Sequence, residues 1–403
     1  MTKIILSTAV FFSVCLLYGQ NTQQIETTPA TKTVQPPTII SPNDQPKQPH
    51  IQVVFALDAT GSMSGLIGAA KQKIWSIAGS LAQAQPAPKI ELGIIFYRDL
   101  GDDFITKRVD LSSDLDGIYS KLMAIQAQGG GDGPESVNQG LAEAVVDFKW
   151  DTDSSTYKTI FLIGDFPPHM DYANDIKYME SCRKAVKKDI IINTILMGSN
   201  SETERIWREI SQCSGGAFIQ MGMDANNFEV STPYDKEIGE LQHKIDSKRI
   251  YYGNSEVRKK SDDKLKTSDA IYMNSSPESN ARRSEYMNTS SGSSSNFAGN
   301  ELLNDVKLKN VKLDTLSASL LPEELKKMTV AERKIYVEKA IAERESLEKQ
   351  LLALSLKRQE TIDKELELKS KDEVAGSFNS QVYESIKDQA KKKNIKMGAK
   401  AKL

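Results

Sequence analysis

At 403 residues the chain has room for two or three domains of roughly 100 to 200 residues each, and it need not be globular throughout. A formal net charge of -2 gives no overall attraction to nucleic acid, so no nucleic-acid partner is expected and only local charge runs can act.

Lys3 precedes an apolar run over residues 4–17, and a polar stretch begins at Gln20. This order of charge, apolar run and polar boundary reads as an export signal over residues 1–20, cleaved near Gly19 or Gln20. The run falls short of the roughly 20 apolar residues that span a bilayer, so no transmembrane anchor is expected in the mature chain. Cys15 leaves lipoprotein anchoring as an alternative, although Phe12-Ser13-Val14 ahead of it lacks the Leu and small residues usual at such a site. The protein is expected to be exported, to the periplasm, the cell surface or the medium. Cys182 and Cys213 then remain as an even pair in an oxidising compartment, which favours a disulfide. Two buried thiols are the other reading.

Residues 21–49 are rich in Thr, Pro and Gln and too poor in large apolar residues to fold, so they are expected to form a disordered spacer. From residue 50 to about 230 strand-like and helix-like stretches alternate. Residues 51–57 form a continuous apolar run, the mark of a central parallel strand covered on both faces. A helix follows over 64–84, stopped by Pro86 and Pro88. Strands are predicted at 90–97 and, as a charged edge, at 104–109. Helices are predicted at 115–125 and 136–148, with a glycine turn at Gly129-Gly130-Gly131 between them. The pattern closes with strand 159–164, helix 171–187, strand 190–197, helix 202–213 and strand 217–220. Such alternation predicts an α/β fold with a doubly wound, mostly parallel sheet.

Residues 231–300 read as a polar linker, disordered in part, because Ser, Asn, Lys and Arg replace aliphatics over 251–299. Residues 301–386 read as a helical region with coiled-coil character. Pro322 suits a helix start, and Thr329 with Glu332 has capping-box spacing for a long helix running to about Lys369. Glu345 with Lys349, and Glu360 with Lys364, stand in the favourable i,i+4 order. Leu347, Leu351 and Leu354 form an apolar stripe that Arg344 and Arg358 interrupt. That stripe can seek a helical partner or a second copy, or pack on the chain's own neighbours. The Lys-rich tail, 387–403, is expected to be solvated, with an acidic envelope surface as the functional alternative.

At the end of the first strand Asp58, Thr60 and Ser62 stand at i, i+2 and i+4 just before a helix, and in a doubly wound sheet ligands bind beyond such strand ends. One carboxylate and two hydroxyls are hard donors that suit Mg²⁺, with Mn²⁺ or Ca²⁺ as alternatives, better than zinc. Alone, the pattern is as readily an N-cap. A second acidic loop, Gly129-Gly130-Gly131-Asp132-Gly133-Pro134-Glu135, and a third, with Asp165 closing its strand, bring further oxygens to the same edge.

Asp58-Ala59-Thr60-Gly61-Ser62-Met63 resembles the metal-site signature of von Willebrand factor A (VWA) domains, in the Thr-Gly-Ser-Met variety common in bacterial members. The resemblance covers about residues 50–225, with its three motifs in the family's order. It implies that Thr60 and Ser62 bind a divalent cation directly, that Asp58, Asp132 and Asp165 bind it directly or through water, and that one position stays open for an acidic group of a partner. Asp132 stands where the best-known adhesion members carry threonine. It resembles instead a subgroup reading Gly-Gly-Gly-Asp-x-Pro-Glu, which makes the site more anionic.

Three neighbours have plainer alternatives. Asp99 either tunes the site or pairs across a surface turn; Glu135 is either a ligand of the outer shell or an acid at a helix N-terminus. His169 either contacts a ligand or caps a loop. The expected function is cation-dependent binding of an unidentified protein or acidic ligand in the cell envelope, without enzymatic turnover. A metal-dependent hydrolase is the rival, although Gly61-Ser62-Met63-Ser64-Gly65 has Met where a G-x-S-x-G nucleophile would stand, and His50, His169 and His243 have no evident triad context. A structural envelope protein braced by the metal is the third reading.

Overall fold

The computed structural model describes residues 47–131, 133–223, 229–296 and 300–402. The expected signal, the spacer up to residue 46 and the Asp132 position lie outside the described residues. Among them no helix is long and apolar enough to cross a membrane.

Six strands form one sheet: β1 (His50–Asp58), β2 (Lys89–Tyr97), β3 (Thr106–Ser112), β4 (Tyr157–Gly164), β5 (Ile191–Met197) and β6 (Phe218–Met221). Their order is β3-β2-β1-β4-β5-β6, with only the β2–β3 pair antiparallel. The expected doubly wound α/β fold is thus present. Each strand end moved by no more than three residues from its expectation, and the helix expected from 171 begins only at Tyr178, because the intervening residues form a loop.

Successive residues of β1 point to opposite faces. Val53, Phe55 and Leu57 join one core with α1 (Ser64–Leu81) and α2 (Leu115–Met123). Val54 and Ala56 join the other with α3 (Val137–Val146), α4 (Tyr178–Lys187) and α5 (Ser201–Ser214). The connection leaving β1 covers one face and that leaving β4 the other, so the carboxyl ends of these neighbouring strands open a crevice. Cys182 of α4 and Cys213 of α5 are joined by a disulfide, with alpha-carbons 6.4 Å apart.

Over the expected polar linker, disordered in part, the described residues are mostly helical: α6 (Asp235–Ser247), α7 (Ser255–Asn274), α8 (Pro277–Met287) and α9 (Ser290–Asn296). Its polar residues serve structural ends that composition does not display. Asn254 and Ser276 cap α7 and α8. Arg283 of α8, buried, donates to Asp116 of α2 at 2.6 and 2.7 Å and to Asp246 of α6 at 2.8 Å. Ile271, Tyr286 and Met287 complete the packing against Trp75 and its neighbours.

The C-terminal region adds α10 (Leu302–Lys307), α11 (Glu323–Lys326), α12 (Val330–Glu367), α13 (Lys371–Ala375) and α14 (Phe378–Ala390). The Thr329–Glu332 capping box forms at the start of α12. Leu347, Leu351 and Leu354 pack on Ile238, Leu241 and Ile245 of α6, so this stripe serves the chain's own fold. Arg344 and Arg358 do not break the seam: they are buried in ion pairs with Glu301, and with Asp235 and Glu285. The Lys-rich tail is not a solvated appendage either. Phe378, Val382 and Ile386 of α14 and Ile395 beyond it enter the core of the first sheet face, while the Lys402 amide donates to Ser80 Oγ at 2.7 Å. Gln389 fixes α14 to the sheet, accepting from Tyr157 Oη at 2.6 Å and donating to Asn193 Oδ1 at 2.7 Å.

Burial alone would raise the Asp116 carboxyl, but the Arg283 guanidinium outweighs it and holds the group at about 2. A folded value below the ordinary 3.8 stabilises the fold above that pH, and the contribution is lost as pH falls toward about 2. Arg283→Ala, which takes the guanidinium from buried Asp116 while Asp246 keeps Arg249, is expected to cost about 3–5 kcal/mol by denaturant unfolding and to flatten this acid limb. Ile386→Ala is expected to cost about 2–5 kcal/mol in the same assay; an effect near zero would mean that α14 is not part of the sheet core.

Candidate metal centre at the carboxyl edge of the sheet

β1 ends on Asp58, which is fully buried, and the chain then turns through Thr60 into a 3-10 turn, Gly61–Met63. Met63 enters the core and anchors the turn, leaving Ser62 exposed at the edge. Asp58 Oδ1 accepts from the Thr60 amide at 2.8 Å and from Thr60 Oγ1 at 2.6 Å, and Thr60 Oγ1 lies 3.3 Å from Ser62 Oγ. This contact uses one Asp58 oxygen. The other, Oδ2, is buried, and among the described residues no N–H or hydroxyl donates to it.

The second loop is held against the first by backbone contacts. Gly61 N donates to Gly129 O at 3.1 Å and Gln128 N to Ala59 O at 3.1 Å. Gly129 and Gly130 both have positive φ, 83° and 79°, and a side chain at Gly130 would meet Glu135 Oε1 and Thr60 Cβ at 3.2 Å. Glycine there lets the loop approach the first motif. The third loop leaves β4 at Gly164, where a side chain would strike the Tyr97 hydroxyl and lie 3.3 Å from Asp58 Oδ2. Asp165 follows, its carbonyl held by Thr203 Oγ1 of α5 at 3.2 Å. Glu135 joins the third loop through a parallel bridge to Pro168, with its amide donating to Pro167 O at 2.9 Å.

Asp58, Thr60, Ser62 and Asp165 are therefore brought to one edge, whereas Asp132 lies outside the described residues. Glu135 is buried beside them, one residue before the Ser136 N-cap of α3. Asp99 is not in a surface salt bridge: it is buried and accepts from Ser136 Oγ at 3.0 Å and from Tyr172 Oη at 3.0 and 3.1 Å. His169 stacks on Tyr172, with ring centroids 4.1 Å apart, and its Nδ1 lies 2.9 Å from Asp171 Oδ1.

Sequence spacing did not single out Tyr97, Arg98 or Asp102. Tyr97 Oη donates to Ile163 O at 2.9 Å beneath the cluster. Arg98 binds Ala59 O at 3.1 Å and Gln126 O at 2.8 Å, lacing the first two loops together. Asp102 Oδ2 receives the amides of Asp99 at 3.1 Å and Gly130 at 3.0 Å. Their signals are backbone contacts across tens of residues, which no local pattern encodes.

The electrostatics are those of crowded acids. Burial, and then the neighbouring Asp165, pushes Asp58 up to about 8 against the opposing hydrogen bonds from Thr60. Burial, and then Asp58, Asp99 and Asp165, pushes Glu135 up to about 9. Besides Asp58 Oδ2, Glu135 Oε2 and Asp165 Oδ1 are also buried with no N–H or hydroxyl donating to them among the described residues. Buried carboxylate oxygens in this state carry a desolvation cost that a hard cation would offset. Among the described residues no three His, Cys, Asp or Glu side chains form a metal-holding group by themselves.

Residues 52–223 match the family model of the von Willebrand factor A domain. Among curated proteins, the chain is 23% identical over 190 residues to an ariadne-like RING finger protein of Acanthamoeba polyphaga mimivirus, covering 43% of this chain and 18% of that one. The chain thus spans about a fifth of that relative's length. Similar solved structures include proximal thread matrix protein 1 of the mussel byssus, at 16% identity and TM-score 0.34 over 44% of this chain and 43% of that one. They also include the pilus adhesin SpaC of Lactobacillus rhamnosus GG, at 15% identity and TM-score 0.34 over 45% and 29%. The SpRpn10 VWA domain matches at 13% identity and TM-score 0.34, over 46% of this chain and all of that one.

In cation-free protein, Glu135→Gln is expected to stabilise the VWA domain by roughly 1–3 kcal/mol, since it removes a buried acid with an unsatisfied oxygen. Thermal melts in chelator check this. A lower melting temperature than wild type would show that Glu135 is not in excess there.

Proposed function

We propose that the VWA domain binds a divalent cation through Thr60 and Ser62, with Asp58, Asp132 and Asp165 as direct or water-mediated ligands, and uses it to grip an acidic group on a protein partner in the cell envelope. The observation that carries this reading is the crowding of three buried acids, Asp58, Glu135 and Asp165, each with an oxygen that at most a neighbouring acid reaches among the described residues, beside two hydroxyls at a strand-end crevice. Oxygen donors of this kind suit Mg²⁺, with Mn²⁺ and Ca²⁺ as alternatives. When bound, the cation supplies a positive centre able to accept one more oxygen ligand.

The role is binding rather than turnover, and the site's anionic character, increased by Asp132, points to firm cation retention with moderated attraction for the partner's acid. Export rests on the Lys3 and 4–17 pattern together with the Cys182–Cys213 disulfide, which an oxidising compartment would preserve.

Isothermal titration of the full chain with Mg²⁺ and Mn²⁺ is expected to show one site that Asp58→Ala abolishes, with circular dichroism unchanged. Equal affinity in wild type and variant would overturn the assignment. Capture from envelope extract with and without chelator then separates a bridging cation from one that only braces the fold.

A further inference from the structure

α12 carries a second apolar feature on the side away from α6. Leu352 and Leu356, one helical turn apart, are each 60% exposed, and they border a cavity of about 610 Å³ that also touches Glu345, Lys349 and Ser355. The charges around them are not used within the chain as their spacing suggests. Glu345 reaches Lys307 at 3.1 Å rather than Lys349. Among the described residues Lys349, Glu360 and Lys364 make no ion pair. At about 100° per residue, Glu345, Lys349, Leu352, Leu356 and Glu360 share one face, with Lys364 at its margin.

We propose that this face docks a second copy of the same chain, two α12 helices packing antiparallel about a two-fold axis between Leu354 and Ser355. In that register Lys349 of each copy faces Glu360 of the other, and Glu345 faces Lys364. Leu356 then lies over Ala353 of the other copy, and Leu352 over the aliphatic stem of Lys357. Asp363, next to Lys364, is engaged by Gln359 at 2.9 Å. A parallel pairing would set Lys349 against Lys349 and Glu360 against Glu360, so charge selects the antiparallel orientation. The interface is independent of the metal centre, which lies at the sheet edge.

Sedimentation velocity on the full chain over a concentration series tests this. Wild type is expected to dimerise reversibly, with or without chelator, and Leu356→Glu to be monomeric with an unchanged circular dichroism spectrum. Lys349→Glu is expected to weaken the dimer by roughly tenfold or more, and Lys349→Glu with Glu360→Lys to restore it. A wild-type monomer at the highest soluble concentration, or a dimer that the charge reversal leaves unchanged, would overturn the proposal.

Discussion

Everything at the sheet edge follows from placing acids where water is scarce. β1 and β4 are adjacent parallel strands whose connections leave toward opposite faces, so their carboxyl ends diverge and the loops after them converge from both sides. Asp58 and Asp165 occupy those ends, and Glu135 reaches them through the second loop. Asp58 and Glu135 each bring a carboxyl group whose charge burial opposes. The fold tolerates the cluster because backbone contacts, not the acids, hold the loops: Arg98 on two carbonyls, Asp102 on two amides, Gly61 on Gly129. A preformed set of oxygens is thereby kept in place at the cost of mutual repulsion, the condition under which a cation offers the largest relief.

Much of this was legible in the sequence because strand burial writes itself as apolar runs. The 51–57 run and the Asp58-Thr60-Ser62 spacing locate the first strand and the first loop directly. The supporting residues were not legible. Arg98 binds carbonyls of Ala59 and Gln126, and Asp99 is satisfied by Ser136 and Tyr172, partners that only the folded chain brings together. Composition failed over 231–300 for a related reason. It registers the scarcity of aliphatics but not Arg283, whose two carboxylate partners lie 167 and 37 residues away. The same holds for Arg344 and Arg358, which read as interruptions of a seam and are its buried polar anchors.

The C-terminal half is consequently not an appendage to the sheet. Its last helix supplies Phe378, Val382 and Ile386 to the core that Phe55 and Trp75 share, and the residues after it run along α1. Long, polar and charged in composition, this half folds by clamping ion pairs between helices and closing over one face of the sheet. The arrangement sets α12 along the surface with Leu352 and Leu356 exposed, so the buried acids of the sheet edge and a helix with unspent charges sit on a single framework.

Anomalous diffraction from crystals grown with Mn²⁺ would locate the cation. A peak is expected among Asp58, Thr60, Ser62 and Asp165, absent from Asp58→Ala crystals; Mn²⁺ bound elsewhere with this edge empty would contradict cation binding at the sheet edge.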